Sequence, residues 1–197
     1  MPELPPFPIT TARLLLQPLT EADLDALLSY HSLAGVHRYL PMGPLDRATA
    51  SEWLKAGPWS RSTLETSGDA VCFGVVRDET GQLVGDIMVM WRNERQRHGE
   101  IGYVFHPDLA GRGYATEAAH ALLHLAFEDL GWHRVTANIV EGNIPSVRVV
   151  ERLGMRHEAR HIESTPSGDG WEDLHLYALL DREWNDAPPV AWCPRCR

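Results

Sequence analysis

The chain has 197 residues, enough for one domain with a sizeable apolar core and a short appendage. Its formal charge of −9 argues against a general nucleic-acid binder, which needs a basic surface to neutralise phosphates, and suits attraction of a cationic amine. No apolar run nears the roughly 18 residues of a membrane-spanning helix, and the start, Met1-Pro-Glu-Leu-Pro-Pro-Phe-Pro8, lacks a basic region leading into an apolar one, so the expected location is the cytoplasm with no membrane association.

Residues 12–19 alternate well enough for a first strand. Thr20-Glu-Ala-Asp23 is a capping box with aspartate in its last position, and Leu24, Leu27 and Leu28 give the helix behind it an apolar stripe. Pro41, Gly43 and Pro44 make a loop, and a second helix follows over residues 48–59, broken at Gly57-Pro58. Residues 70–77 and 83–91 read as strands around the hairpin turn Asp78-Glu-Thr-Gly81. After the polar loop 92–98, a third strand of this run covers 99–105 and stops at Pro107. Gly111-Arg-Gly113 then opens a helix over 114–129, with Ala118, Leu122, Leu125 and Ala126 on one side. A strand at 133–140, a short helix at 143–153 capped by Gly154, and paired strands at 155–162 and 171–180 complete the pattern. The order β-α-α-β-β-β-α-β-α-β-β predicts an α/β (α+β) domain: a mixed, mostly antiparallel sheet flanked by helices, without regular βαβ alternation. The domain is expected to span residues 10–184, with a tail over 185–197 that carries Pro188-Pro189.

The most informative segment runs from Tyr103 to Glu117. A strand ends, a glycine-rich loop follows, and a long helix begins. Such a helix start presents unpaired N–H groups and the positive end of the peptide dipole. Gly111 and Gly113 let the backbone come close to an anion, and Arg112 adds charge. This is the physics of a pyrophosphate cradle. It is neither a Walker loop, for want of a lysine, nor a dinucleotide fingerprint, which needs three spaced glycines in a βαβ unit. The plainer alternative is a tight strand-to-helix turn that needs glycine for its geometry alone.

The segment resembles the coenzyme A-binding motif of the GNAT superfamily of N-acetyltransferases, Q/R-x-x-G-x-G/A. The match falls on Ala110, Gly113 and Ala115, with Gly111, Arg112 and Tyr114 between; Ala110 replaces the usual Gln or Arg. A second block, from Asn143 to Met155, is similar to the family's N-x-x-S-x-x-x-x-E-K/R-x-G-F segment, with Asn143, Ser146, Glu151, Gly154 and Met155 in register. Thr11-Ala-Arg-Leu-Leu-Leu-Gln-Pro-Leu19 is typical of the branch resembling ribosomal-protein alanine N-acetyltransferases. The resemblance implies that acetyl passes directly from acetyl-coenzyme A, as cosubstrate, to a primary amine of a protein N-terminus or a small molecule. Its implied coenzyme contacts are Val104, Phe105, Ala110, Gly111, Arg112, Gly113, Tyr114, Ala115, Thr116, Asn143 and Ser146. The alternative is a non-catalytic module that binds acyl-coenzyme A for regulation, or a purely structural dimer module.

An ammonium has no lone pair, so direct transfer needs a base. Glu100, at the start of the strand that feeds the loop, is the candidate; a surface strand glutamate is the bland reading. The oxyanion needs a donor, and the departing thiolate, from a thiol with a pKa near that of cysteine (about 8.5), benefits from a nearby acid. Ser146 is the candidate there, with Tyr103 and Tyr114 as alternatives, and Arg148 is placed either on a phosphate or in solvent. No metal site is expected. Cys193 and Cys196 form one CxxC pair where zinc takes four ligands. His120 and His124, four apart, lack a third ligand and read as partly exposed helix residues. The tryptophans read mostly as core or dimer-interface residues, and a homodimer is among the assemblies allowed.

Overall fold

The computed structural model describes residues 4–167 and 170–185, so Cys193 and Cys196 lie outside the described residues. Eight strands are present: β1 (Ile9–Thr10), β2 (Leu14–Pro18), β3 (Ala70–Arg77), β4 (Leu83–Asn93), β5 (His98–Phe105), β6 (Arg134–Val140), β7 (Arg156–Ser167) and β8 (Gly170–Leu180). The helices are α1 (Leu24–His31), α2 (Ala34–His37), α3 (Arg47–Ala56), α4 (Tyr114–His124), α5 (Ile144–Arg152) and α6 (Asp181–Asn185). The strands form one mixed sheet in the order β1-β2-β3-β4-β5-β6-β8-β7. Among the described residues every neighbouring pair is antiparallel except β5 and β6. No helix among the described residues is long and apolar enough to cross a membrane.

The near-continuous apolar run of β3 reflects burial on both faces. Successive strand residues point to opposite sides, so Val71, Phe73 and Val75 join Ala118, Leu122 and Leu125 on one face of the sheet. Cys72 and Val76 join Leu27, Tyr30, Leu54 and Trp59 on the other. The second layer also holds a buried polar chain. Tyr30 Oη donates to Asp86 Oδ1 at 2.7 Å, and His31 Nε2 lies 2.7 Å from the same oxygen. His31 Nδ1 is 3.4 Å from His37 Nε2, and His37 Nδ1 donates to the Met42 carbonyl at 3.0 Å. These bonds satisfy groups that would be costly to bury unpaired, and they tie α2 through α1 to β4. Burial, with Asp86 beside it, raises the pKa of Tyr30 well above the ordinary tyrosine value.

The sequence patterns give every expected strand and helix; the differences lie at ends and in short pieces. β1, α2 and α6 are additions of two to five residues. The helix expected over 114–129 is α-helical only to His124, and Leu125–Asp129 forms a π-turn. The cause is visible at its end. Gly131 takes φ 62°, and Trp132 N–H reaches back to Ala126 O at 2.9 Å, which hooks the Trp132 ring under β5. His120 is buried rather than partly exposed, because Trp184 from α6 covers it at 4.7 Å between ring centroids. That burial, with His124 nearby, lowers its pKa to about 4. β7 runs past the expected end at 162 to Ser167, as a hairpin with β8 that outreaches β6.

The Trp132 hook makes Gly99 a packing requirement. A Cβ there would lie 1.7 Å from the Trp132 ring, which is 3% exposed and closed in on all sides. Gly99→Val is therefore expected to cost at least about 2–3 kcal/mol. That is a fall of about 5–10 °C in Tm for a domain of this size, measurable by circular dichroism.

Candidate active site

β5 and β6 pair over three positions only: His98 with Arg134, Gly99 with Val135 and Glu100 with Thr136. Beyond Glu100 the strands part, β5 continuing to Phe105 beside β4 and β6 to Val140 beside β8. The gap opens a cleft of about 1230 Å³. Its floor is Tyr103, Val104 and Phe105 of β5. The loop and first turn of α4 form one wall, and Asn143, Pro145, Ser146, Arg148, Val149 and Arg152, at and in α5, form the facing one. Leu33, Gly35, Val36, Tyr39 and Leu40, in and around α2, add a largely apolar third side. Two tyrosines bridge these parts. Tyr103 Oη donates to Ser146 O at 3.1 Å, and Tyr39 Oη donates to Gly142 O at 3.2 Å. Burial holds the Tyr103 hydroxyl well above the ordinary tyrosine pKa, so it stays a donor.

The glycine loop behaves as its sequence requires. A 3₁₀ turn at Pro107–Leu109 ends β5's exit, and Gly111 and Gly113 take φ 78° and 80°, the left-handed region that glycine enters without penalty. Gly113 is the N-cap of α4, whose first internal bond runs from Glu117 N–H to Gly113 O at 3.0 Å. The N–H groups ahead of Glu117 stand at the helix end with the positive pole of its dipole. Four arginines line the cleft: Arg13, Arg112, Arg148 and Arg152. Among the described lining residues the one carboxylate, Glu117, is 2% exposed and paired with Arg13. A cationic cleft in a protein of charge −9 is built for a polyanion.

All eleven residues expected to touch the coenzyme, Val104, Phe105, Ala110 to Thr116, Asn143 and Ser146, line this one cleft. Asn143 caps α5, its Oδ1 accepting from Ser146 N–H at 3.3 Å. Glu100 stands apart from the lining, at the apex where the strands separate. Its Oε2 accepts from Arg92 Nε at 2.8 Å and from Asn138 Nδ2 at 2.9 Å, the latter across the seam from β6. Arg148, left between phosphate and solvent by the sequence, lines the cleft.

Sequence reasoning passed over Arg13 and Glu117. Glu117 Oε1 accepts from Thr11 Oγ1 at 2.7 Å and from Arg13 N–H at 2.9 Å, and its Oε2 accepts from Arg13 Nε at 2.7 Å and lies 2.6 Å from Arg13 Nη2. Arg13 Nη1 donates to the Arg112 carbonyl at 3.1 Å, and the guanidinium lies 5.0 Å from the Tyr114 ring centroid. A signal existed: a glutamate one residue before Ala118, on the apolar side of α4, needs a partner.

A family profile described as an acetyltransferase (GNAT) domain matches residues 13–156. The uncharacterized N-acetyltransferase YnaD of Bacillus subtilis is 35% identical over 178 residues, covering 90% of this chain and 99% of that protein. An acetyltransferase (GNAT family) structure from Bacillus anthracis superposes with a TM-score of 0.79 at 31% identity, covering 89% of this chain and 99% of that one. Spermidine N-acetyltransferase from Vibrio cholerae, solved in complex with CoA and spermine, shares the fold with a TM-score of 0.74 at 18% identity, covering 88% and 98%.

Proposed function

The chain belongs to the GNAT acetyltransferases and is an acetyl-coenzyme A-dependent acyltransferase, and from that premise we propose that it transfers acetyl directly to a primary amine, of a protein N-terminus or a small molecule. The observation that carries this reading is a cleft with an anion cradle on one wall, opened where β5 and β6 part just beyond Glu100. Acetyl-coenzyme A supplies an acetyl group already activated as a thioester. The residues present fit it. The loop N–H groups at the start of α4, with Arg112 and Arg148, would hold its pyrophosphate. Asn143 and Ser146, on the facing wall, would flank its pantetheine arm.

Glu100 removes the proton of the attacking ammonium, directly or through one water. Arg92 and Asn138 fix the direction of its carboxylate, so little reorganisation accompanies the transfer. The Ser146 hydroxyl, on the cleft, would donate to the sulfur or the oxyanion, while the Tyr103 hydroxyl, given to the Ser146 carbonyl, would hold that residue in place. The apolar side made by Leu33, Val36 and Leu40 favours an acceptor with a carbon-rich group next to its amine.

The test is release of free thiol from acetyl-coenzyme A, followed with Ellman's reagent across a panel of peptide N-termini, amino acids, polyamines and aminoglycosides. Turnover with at least one amine, giving an N-acetyl product of the expected mass, is the expected result. Tight coenzyme A binding with no turnover on any of these amines would favour a regulatory acyl-coenzyme A-binding module instead.

A further inference from the structure

We propose that Arg13 is a pyrophosphate-binding residue of this cleft, brought to the glycine loop by the first strand pair and held there by Glu117. The inference rests on the acetyl-coenzyme A reading and names a residue outside the glycine loop and α5.

The argument begins with Glu117. A carboxylate in the first turn of a helix whose end receives an anion is in the wrong place, unless its charge is cancelled. Here it is 2% exposed, and a buried carboxylate is costly without good partners. It has four donor contacts, and three come from Arg13: the main-chain N–H, Nε and Nη2. The pair is asymmetric. Glu117 is sealed, while the Arg13 side chain is 50% exposed and lines the cleft. The carboxylate therefore serves to orient the guanidinium, as a fork held by one edge.

The donors can be counted. A guanidinium has five N–H groups. Nε and one N–H of Nη2 face Glu117, and one N–H of Nη1 is given to the Arg112 carbonyl. One N–H on each of Nη1 and Nη2 is left. Nη2 lies 3.5 Å from the position of a Cβ on Gly113, so this edge stands beside the N-cap of α4. Two remaining donors on a fixed planar group suit the oxygens of a phosphate. The bond to Arg112 O also occupies the loop carbonyl that could otherwise turn toward the anion. Packing of the guanidinium on Tyr114 holds its plane from a third side.

The experiment is isothermal titration of coenzyme A into wild-type protein, Arg13→Gln, Arg13→Lys and Glu117→Gln. Pantetheine, which has no pyrophosphate, is titrated in parallel by ligand-observed NMR, with melts as a folding control. Arg13→Gln should raise the Kd for coenzyme A about 30-fold or more, and Arg13→Lys about 10-fold, because the charge remains and the fork is lost. Glu117→Gln should lie between them. Pantetheine affinity should stay within twofold throughout, and in Arg13→Gln the salt dependence of coenzyme A binding should become shallower. Arg13→Lys keeps a cation beside Glu117 and so decides the matter if Arg13→Gln does not fold. A coenzyme A Kd within twofold of wild type in a folded Arg13 variant would overturn the proposal. Equal weakening of coenzyme A and pantetheine would also overturn it, by showing a role in shaping the cleft only. Failure of wild-type protein to bind coenzyme A would instead bring down the acetyltransferase reading itself, and this proposal with it.

Discussion

Gly113→Asp is expected to weaken coenzyme A binding at least 100-fold while leaving a folded protein. Gly113 has φ 80°, so any other residue carries a strain of about 1–2 kcal/mol. The resulting fall in Tm is about 2–8 °C. Space is not the obstacle, since the nearest atom to an added Cβ is Arg13 Nη2 at 3.5 Å, an ordinary contact. The loss comes from chemistry. The new carboxylate stands at the helix end where the anion belongs, adds like charge, and offers Arg13 a partner in place of the ligand. A 100-fold loss corresponds to about 2.7 kcal/mol, more than the strain alone removes. Gly81→Asp is the matched control. Gly81 also has positive φ, 68°, with open space around it, but lies in the β3–β4 hairpin. It should pay the same strain and bind coenzyme A normally. Normal affinity in folded Gly113→Asp would show that the anion sits elsewhere.

Glu100→Gln is expected to lower kcat by about 100- to 1000-fold on whichever amine the panel identifies, with the KM for acetyl-coenzyme A within threefold. The amide keeps the shape of the side chain and one oxygen for Arg92 or Asn138, so the apex stays assembled. What it cannot do is take a proton. Coenzyme A binding separates this from a structural effect: the variant should bind coenzyme A as wild type does while kcat falls. If Glu100 is only the partner of Arg92, the change is the loss of a surface-type ion pair, at most about 1 kcal/mol of stability, with kcat within threefold.

What the sequence made legible was whatever depends on near neighbours. The strands and helices follow from periodicity, and the N-cap role of Gly113 and the positive φ of Gly154 follow from a glycine at the right offset. The eleven residues expected to touch the coenzyme fall on one cleft because they come from two short stretches of sequence, 104–116 and 143–146. Four features were not legible, for a common reason. The Arg13–Glu117 clamp joins residues 104 positions apart. The seam between β5 and β6 is three residues long, and no composition marks where two strands stop pairing. The Tyr30–Asp86–His31–His37 chain assembles from α1, α2 and β4, and each member alone looks like an ordinary polar residue. The π-turn after His124 escaped because its cause is Trp132 docking under Gly99, a contact outside the helix.

The seam between β5 and β6 also sets the order in which the molecule can become competent. β2 to β5 form without the later strands, each pair antiparallel, and they leave the ribosome together with the glycine loop. A chain halted there owns an anion cradle with no opposite wall. The crossover through α4 must then return β6 to β5 in parallel, a non-local pairing that is slow to nucleate and is secured by only three residue pairs. β8 stabilises β6 from its other edge along its whole length, and β7 and β8 arrive last as a local hairpin. The nascent protein thus stands as half a site while residues 114–180 are added, and its later strands complete the sheet that holds the other half in place.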